Sequence, residues 1–236
     1  MKISIVVPTY NEKDNIKILI PKIFETFRKN KIDGSLIIID DNSPDGTSEI
    51  VRKFQKRYPI ILIVRKKKMG LGSAYITGFK RALKEDASII FEMDADLSHS
   101  PEFIPRFIKK IEEGYDVVIG ARTIAGGKII GWSIYRKIIS KIGNLLGRFL
   151  ASLAVDDLTS GYRAYRREVL KGINLDEIYS NGYAFQLEML ARCSKKGYKI
   201  ATIPIKFFNR IYGKSKLSIR DMIEFLIISI KIRLRF

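Results

Sequence analysis

Acidic motifs follow three predicted strands in the first half of the sequence. The chain reads VVPTYNE at 6–12, IIIDDNS at 37–43 and FEMDADLSHSP at 91–101. Strand alternation would place the carboxylates of Asp94 and Asp96 on the same side, about 6–7 Å apart along the chain. Two such carboxylates repel each other unless a cation lies between them. A hard divalent ion, Mg²⁺ or Mn²⁺, suits these oxygen ligands and would offer its open positions to phosphate oxygens.

The elements that must position these motifs alternate along the chain. Apolar, β-branched runs predict strands at 2–7, 35–39, 60–64, 88–93 and 116–120. Apolar residues at helical spacing predict helices at 12–28, 47–58, 73–84 and 101–112. This alternation is typical of an α/β fold with a mostly parallel sheet covered on both faces. Ligands of such sheets bind beyond the carboxyl ends of the strands, where the acidic motifs fall.

Basic residues dominate the second half of the chain. The 236 residues carry 43 Lys+Arg against 25 Asp+Glu, a formal net charge of +18. Segment 122–150 holds six basic residues and no acid, and segment 195–236 holds eleven basic residues and two acids. Such a field attracts nucleic acid, anionic lipid or phosphorylated ligands. A solvated basic surface that only keeps the protein soluble is the alternative interpretation.

Composition excludes several classes of protein. Apolar residues make up 46% of the chain, which is typical of a globular protein and not of a disordered or collagen-like one. The single cysteine, Cys193, excludes a disulfide framework and a cysteine-rich zinc site, and favours a reducing, cytoplasmic environment. The apolar runs are too short for a signal peptide or for a helix that spans a bilayer.

Segment 131–150 predicts an amphipathic helix, or a pair of shorter helices divided at its glycines. One face of the helical wheel is apolar: Ile134, Tyr135, Ile138, Ile139, Ile142, Leu145, Leu146, Phe149 and Leu150. The opposite face is basic or polar: Arg136, Lys137, Ser140, Lys141, Gly143, Asn144, Gly147 and Arg148. This division suits a helix that lies in a membrane interface, where each Lys or Arg near an anionic leaflet adds about 1 kcal/mol. An ordinary amphipathic helix packed on the sheet is the alternative.

The motifs, in their order, resemble the catalytic domain of glycosyltransferase family 2, which has the GT-A fold. The segments VVPTYNE, IIIDDNSPDGT, GLGSAYITGF and FEMDADLSHSP carry the resemblance, which spans about residues 2–220. The segments DDLTSGYRAYRREVL and FFNRIYGKSKL resemble the dolichyl-phosphate mannose synthase branch in particular. The Gln-x-x-Arg-Trp motif of processive polysaccharide synthases is absent, since no arginine precedes the only tryptophan, Trp132.

The resemblance implies a GT-A catalytic domain over residues 1–220, Rossmann-like, with amphipathic interface helices and a basic, apolar tail at 221–236. It implies inverting transfer of mannose from GDP-mannose to dolichyl or another polyprenyl phosphate, dependent on Mg²⁺ or Mn²⁺. The chain would act peripherally at the cytoplasmic face of a membrane. In many relatives transmembrane helices follow the tail. This chain is therefore expected to be a soluble-domain form, part of a longer protein, or one chain of a complex with a membrane-anchoring domain or subunit.

Three alternatives to this activity stay open. A dolichyl-phosphate glucosyltransferase that uses UDP-glucose is the alternative within the family, because carboxylates alone do not identify the base or the sugar. A basic nucleic-acid-binding domain is the alternative outside the family. The strand-end carboxylates oppose it because they would repel a phosphate backbone, so no nucleic acid partner is expected. A membrane-bound scaffold that has lost its activity is the third alternative.

The resemblance assigns the donor side of the site residue by residue. The nucleotide would contact Pro8, Tyr10, Glu12, Ile39 and Asp41. A carboxylate accepts ribose hydroxyl or base N–H bonds, and a tyrosine ring lies against a base. The resemblance extends nucleotide-sugar binding to three consecutive residues: Asp94, Ala95 and Asp96.

The resemblance also assigns the cation and the diphosphate. Asp96 is the implied metal ligand, with Asp94 beside it. Ser98 stands where related enzymes often carry glutamine, and its shorter side chain would ligate the metal or hold a metal-bound water. Arg210 and Lys216 match a mobile basic loop that closes over the diphosphate and neutralises charge as the glycosidic bond breaks.

On the acceptor side, the resemblance places the lipid phosphate at Arg122, Arg136 and Ser140. It also implies catalytic roles for Asp96 and for Arg122, which would lie near the transferred sugar. Asp157 lies in DLTSGYR, where other GT-A enzymes place a general base. It is expected to be catalytic, or instead to orient Arg163 or the acceptor. A lipid monophosphate needs no base, because its second pKa near 6 leaves it largely a dianion at neutral pH.

Two further predictions concern polar residues near the expected site. His99 is expected to be a loop residue near the metal rather than a base. Gln186 and Glu188 lie in the helical segment AFQLEMLARC. They are expected either to line the sugar site or to face solvent.

Overall fold

The computed structural model describes residues 1–151, 153, 155–180, 182–210 and 219–235, without the side chains of 183, 219–223 and 235. Within these ranges the strands are β1 (Ile3–Thr9), β2 (Gly34–Asp40), β3 (Ile60–Val64), β4 (Ile89–Glu92), β5 (Val117–Ala121), β6 (Lys128–Ile130), β7 (Arg163–Arg166), β8 (Ile200–Pro204) and β9 (Lys206–Phe208). The α-helices are α1 (Lys13–Lys29), α2 (Thr47–Gln55), α3 (Leu71–Lys84), α4 (Ile104–Glu112), α5 (Ile134–Ala151), α6 (Arg167–Gly172), α7 (Gly182–Lys195) and α8 (Ile219–Arg235). The predicted strands and helices of the first half are therefore present, with ends that differ by a few residues.

Seven strands form one sheet in the order β3-β2-β1-β4-β7-β5-β8. Strand β7 runs antiparallel to β4 and β5, and the other neighbouring strands run parallel. Strands β6 and β9 pair in a second, two-stranded parallel sheet. The predicted α/β class with a mostly parallel sheet is confirmed.

Side chains divide between two hydrophobic cores, one on each face of the sheet. In β1, Ile5 and Val7 belong to the core that α1, α2 and α4 cover, and Val6 belongs to the core beneath α3 and α7. This division follows from the alternation of side chains along a strand. Gly78 of α3 lies close to Val6, since a Cβ added there would meet Val6 Cγ1 at 2.2 Å. Helices thus cover both faces, as predicted.

Strand β7 decides which loops meet at the site. It lies between β4 and β5, and Glu92 of β4 stands opposite Arg163 in the ladder. Because β7 is antiparallel, the segment that precedes it emerges at the same edge as the carboxyl ends of β1, β4 and β5. The loop at 157–161 therefore lies beside the Asp94–Asp96 loop.

Helix α5 is one continuous helix, so the predicted division into a helix pair is wrong. Its apolar face is turned outward: Ile134, Tyr135 and Phe149 expose 77%, 74% and 70% of their surface. The buried positions of α5 are instead Asn144, Gly147 and Ala151. The alternative in which the apolar face packs on the sheet is therefore wrong.

Helix α8 contains most of the predicted tail and packs against α5 and α7. Phe225 of α8 lies against Gly147, where an added Cβ would meet the ring at 2.7 Å. Arg233 Nη1 donates a hydrogen bond to the carbonyl oxygen of Phe149 at 3.1 Å. The exposed apolar residues of the two helices form what we term the α5–α8 apolar surface: Ile134, Tyr135, Ile138, Ile142, Leu145, Leu146, Phe149, Leu226, Ile227, Ile230 and Leu234. Among the described residues, no helix combines the length and the apolar character needed to cross a bilayer.

Candidate active site

Two cavities open side by side at the carboxyl edge of the large sheet. One cavity, lined by Tyr10 and Asp41 among others, has a volume of about 380 Å³, and the other, lined by Arg122 and Arg136 among others, has one of about 360 Å³. We term them the donor cavity and the acceptor cavity, because the family resemblance places the nucleotide sugar and the acceptor phosphate at those residues. The residues that line both cavities are Asp94, Asp96, Thr159, Gly161 and Arg210. A ligand in one cavity would therefore meet a ligand in the other at this acidic junction.

The first motif lines the donor cavity from the end of β1 and the loop that follows it. Pro8, Tyr10 and Glu12 all lie in the wall. Lys68 lines the same wall, with its Nζ 4.8 Å from the centre of the Tyr10 ring. An aromatic ring beside a cation provides a surface on which a nucleotide base stacks.

Two adjacent aspartates after β2 differ in their surroundings. Asp41 lines the donor cavity, where it accepts hydrogen bonds from Arg65 and from the Met69 N–H at 3.1 Å. Asp40 is fully buried. It accepts hydrogen bonds from Thr9 Oγ1 at 2.8 Å and Ser48 Oγ at 2.7 Å. Asp40 therefore fixes the loop, and Asp41 faces the cavity.

Ile39 lies away from the donor cavity. Its side chain is 0% exposed and belongs to the core beneath α3, and it is not among the residues that line the donor cavity. Its carbonyl oxygen accepts a hydrogen bond from Thr9 Oγ1 at 3.4 Å. The structure therefore gives the Ile39 side chain a packing role next to the nucleotide motif.

Asp94 and Asp96 lie in a loop rather than in a strand, because β4 ends at Glu92. Both carboxylates still reach the junction of the cavities. Tyr75 donates a hydrogen bond from its hydroxyl to Asp94 Oδ1 at 3.1 Å, and the Ser98 N–H donates to Asp96 Oδ1 at 3.1 Å. Desolvation by the surrounding protein, and after it the charge of Asp96, raises the pKa of Asp94 to about 7. The Asp94 side chain nevertheless keeps 35% of its surface exposed to solvent.

The carboxylate pair fits a divalent cation by its chemistry. Burial and, after it, the charge of Asp96 disfavour the ionised form of Asp94. A hard cation with oxygen ligands would stabilise the two ionised carboxylates together. Ser98 is 1% exposed and is not among the residues that line either cavity, so its position gives a ligand role no support. No group of three or more His, Cys, Asp or Glu side chains suited to a metal occurs among the described residues. Phosphate oxygens of a bound ligand would suit the remaining positions of such a cation.

Arg122 enters the acceptor cavity from the end of β5 and is held by Asp157. Asp157 Oδ2 accepts from the backbone N–H of Arg122 at 2.7 Å and from its Nε at 2.8 Å, and Oδ1 accepts from Nη2. Nη2 also donates to Thr159 Oγ1 at 2.9 Å. The Asp157 side chain is 0% exposed and is not among the cavity-lining residues. Asp157 therefore positions Arg122.

The expectation that Asp157 orients Arg163 is wrong. Arg163 is fully buried and pairs with Glu92, with 3.4 Å between Arg163 Nε and Glu92 Oε1. Its guanidinium also donates to the carbonyl oxygens of Ser160 at 2.8 Å and Leu158 at 2.7 Å. Burial raises the pKa of Glu92 to about 7, against the opposing charge of Arg163. This pair ties β4 and β7 to the loop that carries Asp157.

The acceptor cavity is basic at one end and apolar at the other. Arg136 and Ser140 of α5 line it beside Arg122, and the Arg136 guanidinium lies 4.0 Å from the centre of the Trp132 ring. The apolar lining residues are Ile139, Ile142, Leu146, Phe207, Phe225 and Leu226. The three predicted phosphate residues are thus brought together, next to a surface suited to a hydrocarbon chain.

The predicted basic loop is described only at its start. Arg210 Nη2 lies 3.2 Å from Asp96 Oδ2, and the Arg210 side chain lines both cavities. Lys216 lies outside the described residues. Arg210 therefore already stands at the junction, where the diphosphate of a donor would lie.

His99 and Glu188 are both buried, and His99 lines the acceptor cavity. Burial lowers the pKa of His99 to about 4, so the ring is neutral at neutral pH and accepts the Asp94 N–H at 3.4 Å. Glu188 is 0% exposed, and it accepts from Ser180 Oγ at 2.5 Å and from Arg192 Nε at 2.9 Å. Glu188 thus neither lines the sugar site nor faces solvent, whereas Gln186 lines the donor cavity.

Sequence reasoning missed several residues at the cavities, among them Lys68, Trp132, Thr159, Gly161 and Phe207. Thr159 and Gly161 lie in the DLTSGYR segment. That segment was the sequence signal from which both could have been predicted as site residues. Gly161 leaves room for Asp94, since an added Cβ would lie 3.2 Å from its Oδ2. Phe207 gave no signal, because nothing in the sequence indicates that β9 approaches Arg122.

Comparison with known proteins agrees with this geometry. The sequence pattern of glycosyl transferase family 2 matches residues 4–173. The chain belongs to glycosyl transferase family 2. It is 37% identical over 216 residues to a polyprenol monophosphomannose synthase of Mycolicibacterium smegmatis, covering 91% of this chain and 80% of that protein. It is 38% identical over 219 residues to an undecaprenyl-phosphate mannosyltransferase of Micrococcus luteus, covering 92% and 88%.

Solved structures support the fold. Glucosyl-3-phosphoglycerate synthase from Mycobacterium tuberculosis, in complex with Mn²⁺, UDP-glucose and phosphoglyceric acid, superposes with a TM-score of 0.69 at 21% identity. The match covers 98% of this chain and 80% of that one. The same synthase with Mg²⁺ and UDP also gives 0.69, at 20% identity and the same coverage. The family 2 chain therefore has the predicted GT-A fold.

Proposed function

We propose that this family 2 enzyme transfers mannose from GDP-mannose to dolichyl or another polyprenyl phosphate, with inversion at the anomeric carbon. The observation that carries the proposal is the meeting of the donor and acceptor cavities at Asp94 and Asp96. The names of the two relatives support mannose as the sugar and a polyprenyl phosphate as the acceptor. The amphiphilic acceptor cavity supports a lipid phosphate independently of those names.

The acceptor phosphate would bind at Arg122, Arg136 and Ser140. Asp157 fixes the Arg122 guanidinium, so the phosphate meets a cation that is already oriented. The phosphate is largely a dianion at neutral pH and needs no proton removed. A buried carboxylate that binds an arginine fits such a reaction, whereas a general base would have to reach the nucleophile.

In the reaction, an oxygen of the acceptor phosphate attacks the anomeric carbon of the donor. The bond between that carbon and the diphosphate oxygen breaks, and its electron pair leaves with GDP. Arg210 at the junction, together with Lys216, would neutralise the charge that develops on the leaving group.

Asp96 and Asp94 would hold Mg²⁺ or Mn²⁺. Such an ion supplies Lewis-acid stabilisation of the diphosphate. The fold neighbour from Mycobacterium tuberculosis binds Mn²⁺ together with UDP-glucose, which supports a divalent ion in general. Because Arg210 pairs with Asp96 in the structure, Arg210 would exchange this carboxylate for the diphosphate when the donor and ion bind.

The chain is proposed to act peripherally at the cytoplasmic face of a membrane, and the α5–α8 apolar surface supports the peripheral position. Ile142, Leu146 and Leu226 each line the acceptor cavity and also belong to this surface, at 51%, 43% and 38% exposure. A polyprenyl chain would thus pass from the leaflet into the cavity without leaving an apolar environment. The basic residues of α5 would contact anionic headgroups. A membrane-anchoring domain or subunit remains a proposed partner.

The experiment that tests the function is transfer to a short prenyl phosphate, with purified protein and Mg²⁺ or Mn²⁺. GDP-mannose is expected to react at least 100-fold faster than UDP-glucose, and NMR of the product is expected to show an inverted anomeric carbon. The matching prenyl alcohol serves as the control and is expected to accept no sugar. A preference for UDP-glucose would establish the glucosyltransferase alternative instead, and transfer to the alcohol would refute the phosphate-acceptor mechanism.

A further inference from the structure

Gln186 presents a buried amide in the wall of the donor cavity. It lies in α7, its residue surface is 2% exposed, and it lines the cavity with Asp94 and Gly161. Neither Oε1 nor Nε2 of Gln186 makes a hydrogen bond with any described residue. An amide buried in this way is disfavoured unless a ligand or water completes its hydrogen bonds.

The neighbours of Gln186 bind its backbone carbonyl but leave its amide without a hydrogen bond. Arg163 Nη1 donates a hydrogen bond to the Gln186 carbonyl oxygen at 2.8 Å. The Gln186 amide lies near enough to Glu92 to lower the pKa of that carboxyl, yet its geometry falls outside a hydrogen bond. The Glu92 Oε2 atom is likewise buried without a partner among the described residues. The backbone of Gln186 is therefore bound by Arg163, while its side-chain amide makes no hydrogen bond with the described residues.

The position of Gln186 separates it from the part of the cavity suited to a nucleotide. Tyr10, Asp41 and Lys68 form that part, on the loops after β1, β2 and β3. Gln186 accompanies Asp94 and Gly161, which also line the acceptor cavity. The group transferred between the two cavities must lie at this junction, which shares the donor cavity with Gln186.

We propose that Gln186 is a specificity-determining residue that hydrogen-bonds hydroxyl groups of the donor sugar. This inference rests on the function proposed above, in that it requires a hexosyl donor. A carboxamide offers both donors and an acceptor, and neighbouring sugar hydroxyls offer both in return. A site built to bind a hydroxyl discriminates strongly against an analogue that lacks it, because the buried amide is then left unpaired.

The test compares wild type with Gln186→Ala on GDP-mannose and its 2-, 3-, 4- and 6-deoxy analogues. In the wild type, removal of the contacted hydroxyl is expected to lower kcat/KM at least 10-fold. In Gln186→Ala the same analogue is expected to react within 2-fold of the parent donor. The affinity for GDP alone, measured by calorimetry, is expected to change less than 2-fold, because the nucleotide is proposed to contact the loops after β1, β2 and β3 and not α7.

The other glutamine of the chain provides a matched control. Gln55 lies at the end of α2, where its amide donates to the Ile60 carbonyl oxygen at 3.0 Å, and Gln55→Ala is expected to keep the wild-type pattern over the deoxy donors. Gln186→Met replaces the amide by an apolar chain of similar length and repeats the test if the alanine variant unfolds. Retention of every deoxy penalty in both Gln186 variants would overturn the proposal and leave the amide to a bound water.

The design separates this inference from the proposed function. If wild type transfers no mannose, the function fails in the control reaction, before any variant is compared. The deoxy series is then repeated on UDP-glucose, since the amide is proposed to contact a hexose and not a particular base. Loss of GDP affinity in Gln186→Ala together with unchanged deoxy penalties would indicate a nucleotide contact and would refute the sugar assignment.

Discussion

Asp157 holds Arg122 through three hydrogen bonds, one from the backbone N–H and two from the guanidinium. The two side chains expose 0% and 6% of their surface. Arg122 also lies over the Phe207 ring, 5.0 Å from its centre. Asp157 lies in the DLTSGYR segment, where the resemblance to other GT-A enzymes suggested a general base. In this structure it orients the Arg122 guanidinium beside the acceptor cavity.

Asp157→Asn is expected to lower kcat/KM for the acceptor roughly 10–100-fold, because the amide retains the shape but loses the charge that orients Arg122. The KM for the donor is expected to change little, since Arg122 does not line the donor cavity. Steady-state kinetics with each substrate varied in turn measure both effects.

The neighbouring Asp156 is the matched control for this variant. It pairs with Arg148 at 2.8 Å on the surface, where both side chains are over 40% exposed. Asp156→Asn is therefore expected to leave the kinetics within 2-fold of wild type, since exposed pairs contribute little. Disappearance of an ascending limb from the pH–rate profile in Asp157→Asn would point to a general base and contradict the positioning role.

The first half of the fold was predictable because its strands are short apolar, β-branched runs and its helices carry apolar residues at helical spacing. Strand β3 spans Ile60–Val64, as the apolar run indicates. Strand β7 was not predictable, because the four residues Arg163–Arg166 show no alternation and their partners lie far away in sequence. The partner of Asp157 depends on where β7 lies, so Arg163 was expected and Arg122 was found.

Helix α5 shows a second feature that the sequence alone did not predict, namely which of its faces packs on the domain. A helical wheel identifies an apolar face and a polar face but does not say which one packs on the domain. Part of the polar face packs here, because Asn144 Oδ1 accepts the Leu158 N–H at 2.8 Å and Gly147 admits the Phe225 ring. Such contacts depend on elements that are remote in sequence.

Asp96→Ala is expected to reduce kcat by roughly 10²–10³-fold, because the diphosphate loses electrostatic stabilisation in the transition state. The increase in Tm that Mn²⁺ and GDP produce together is expected to disappear, since ligand binding stabilises the native state only where a site exists. Thermal shift and single-turnover assays measure the two effects separately.

Asp86 provides the control for a lost carboxylate. Its side chain is 87% exposed and pairs with Arg167 on the surface, so Asp86→Asn is expected to behave as wild type. Chelation by EDTA is expected to stop wild-type turnover, and added Mg²⁺ or Mn²⁺ is expected to restore it. Transfer at the wild-type rate by Asp96→Ala would eliminate the proposed metal mechanism.

The double variant Leu145→Glu, Phe149→Glu is expected to release the protein from vesicles that contain anionic lipid. These residues are 66% and 70% exposed and do not line the acceptor cavity, so the site itself is left intact. Each buried side chain of this size contributes about 1.5–3 kcal/mol to insertion, and the introduced charges oppose it. Vesicle sedimentation is expected to show at least a 10-fold loss of binding.

Activity separates membrane docking from damage to the fold. The double variant is expected to keep its turnover of a short, water-soluble prenyl phosphate and to lose turnover of a long polyprenyl phosphate in vesicles. Val64→Glu, on the edge strand β3 and 41% exposed in the wild type, serves as the apolar-to-acid control and is expected to bind vesicles normally. Unchanged sedimentation of the double variant would show that α5 does not dock.

Cys193 is expected to be inert in the native protein. Burial raises the pKa of its thiol to about 12, so the thiolate fraction at pH 8 is roughly 10⁻⁴ instead of about one quarter. A thiol reagent such as DTNB is expected to modify the chain only in denaturant. Rapid modification of the folded chain would contradict the buried position of the thiol.

The same shift predicts a pH dependence of stability. The folded thiol keeps its proton while the unfolded thiol loses it above its ordinary pKa of about 8.5, so stability falls as the pH rises towards 12. Between pH 7 and pH 10 the wild type is expected to lose about 2 kcal/mol more than Cys193→Ala in urea unfolding. The cavity left by alanine lowers the free energy of unfolding by the same amount at both pH values. The difference in pH dependence between the two proteins therefore isolates the ionisation of the thiol. Identical pH dependence in the two proteins would mean that the thiol ionises as readily in the native core as in the unfolded chain.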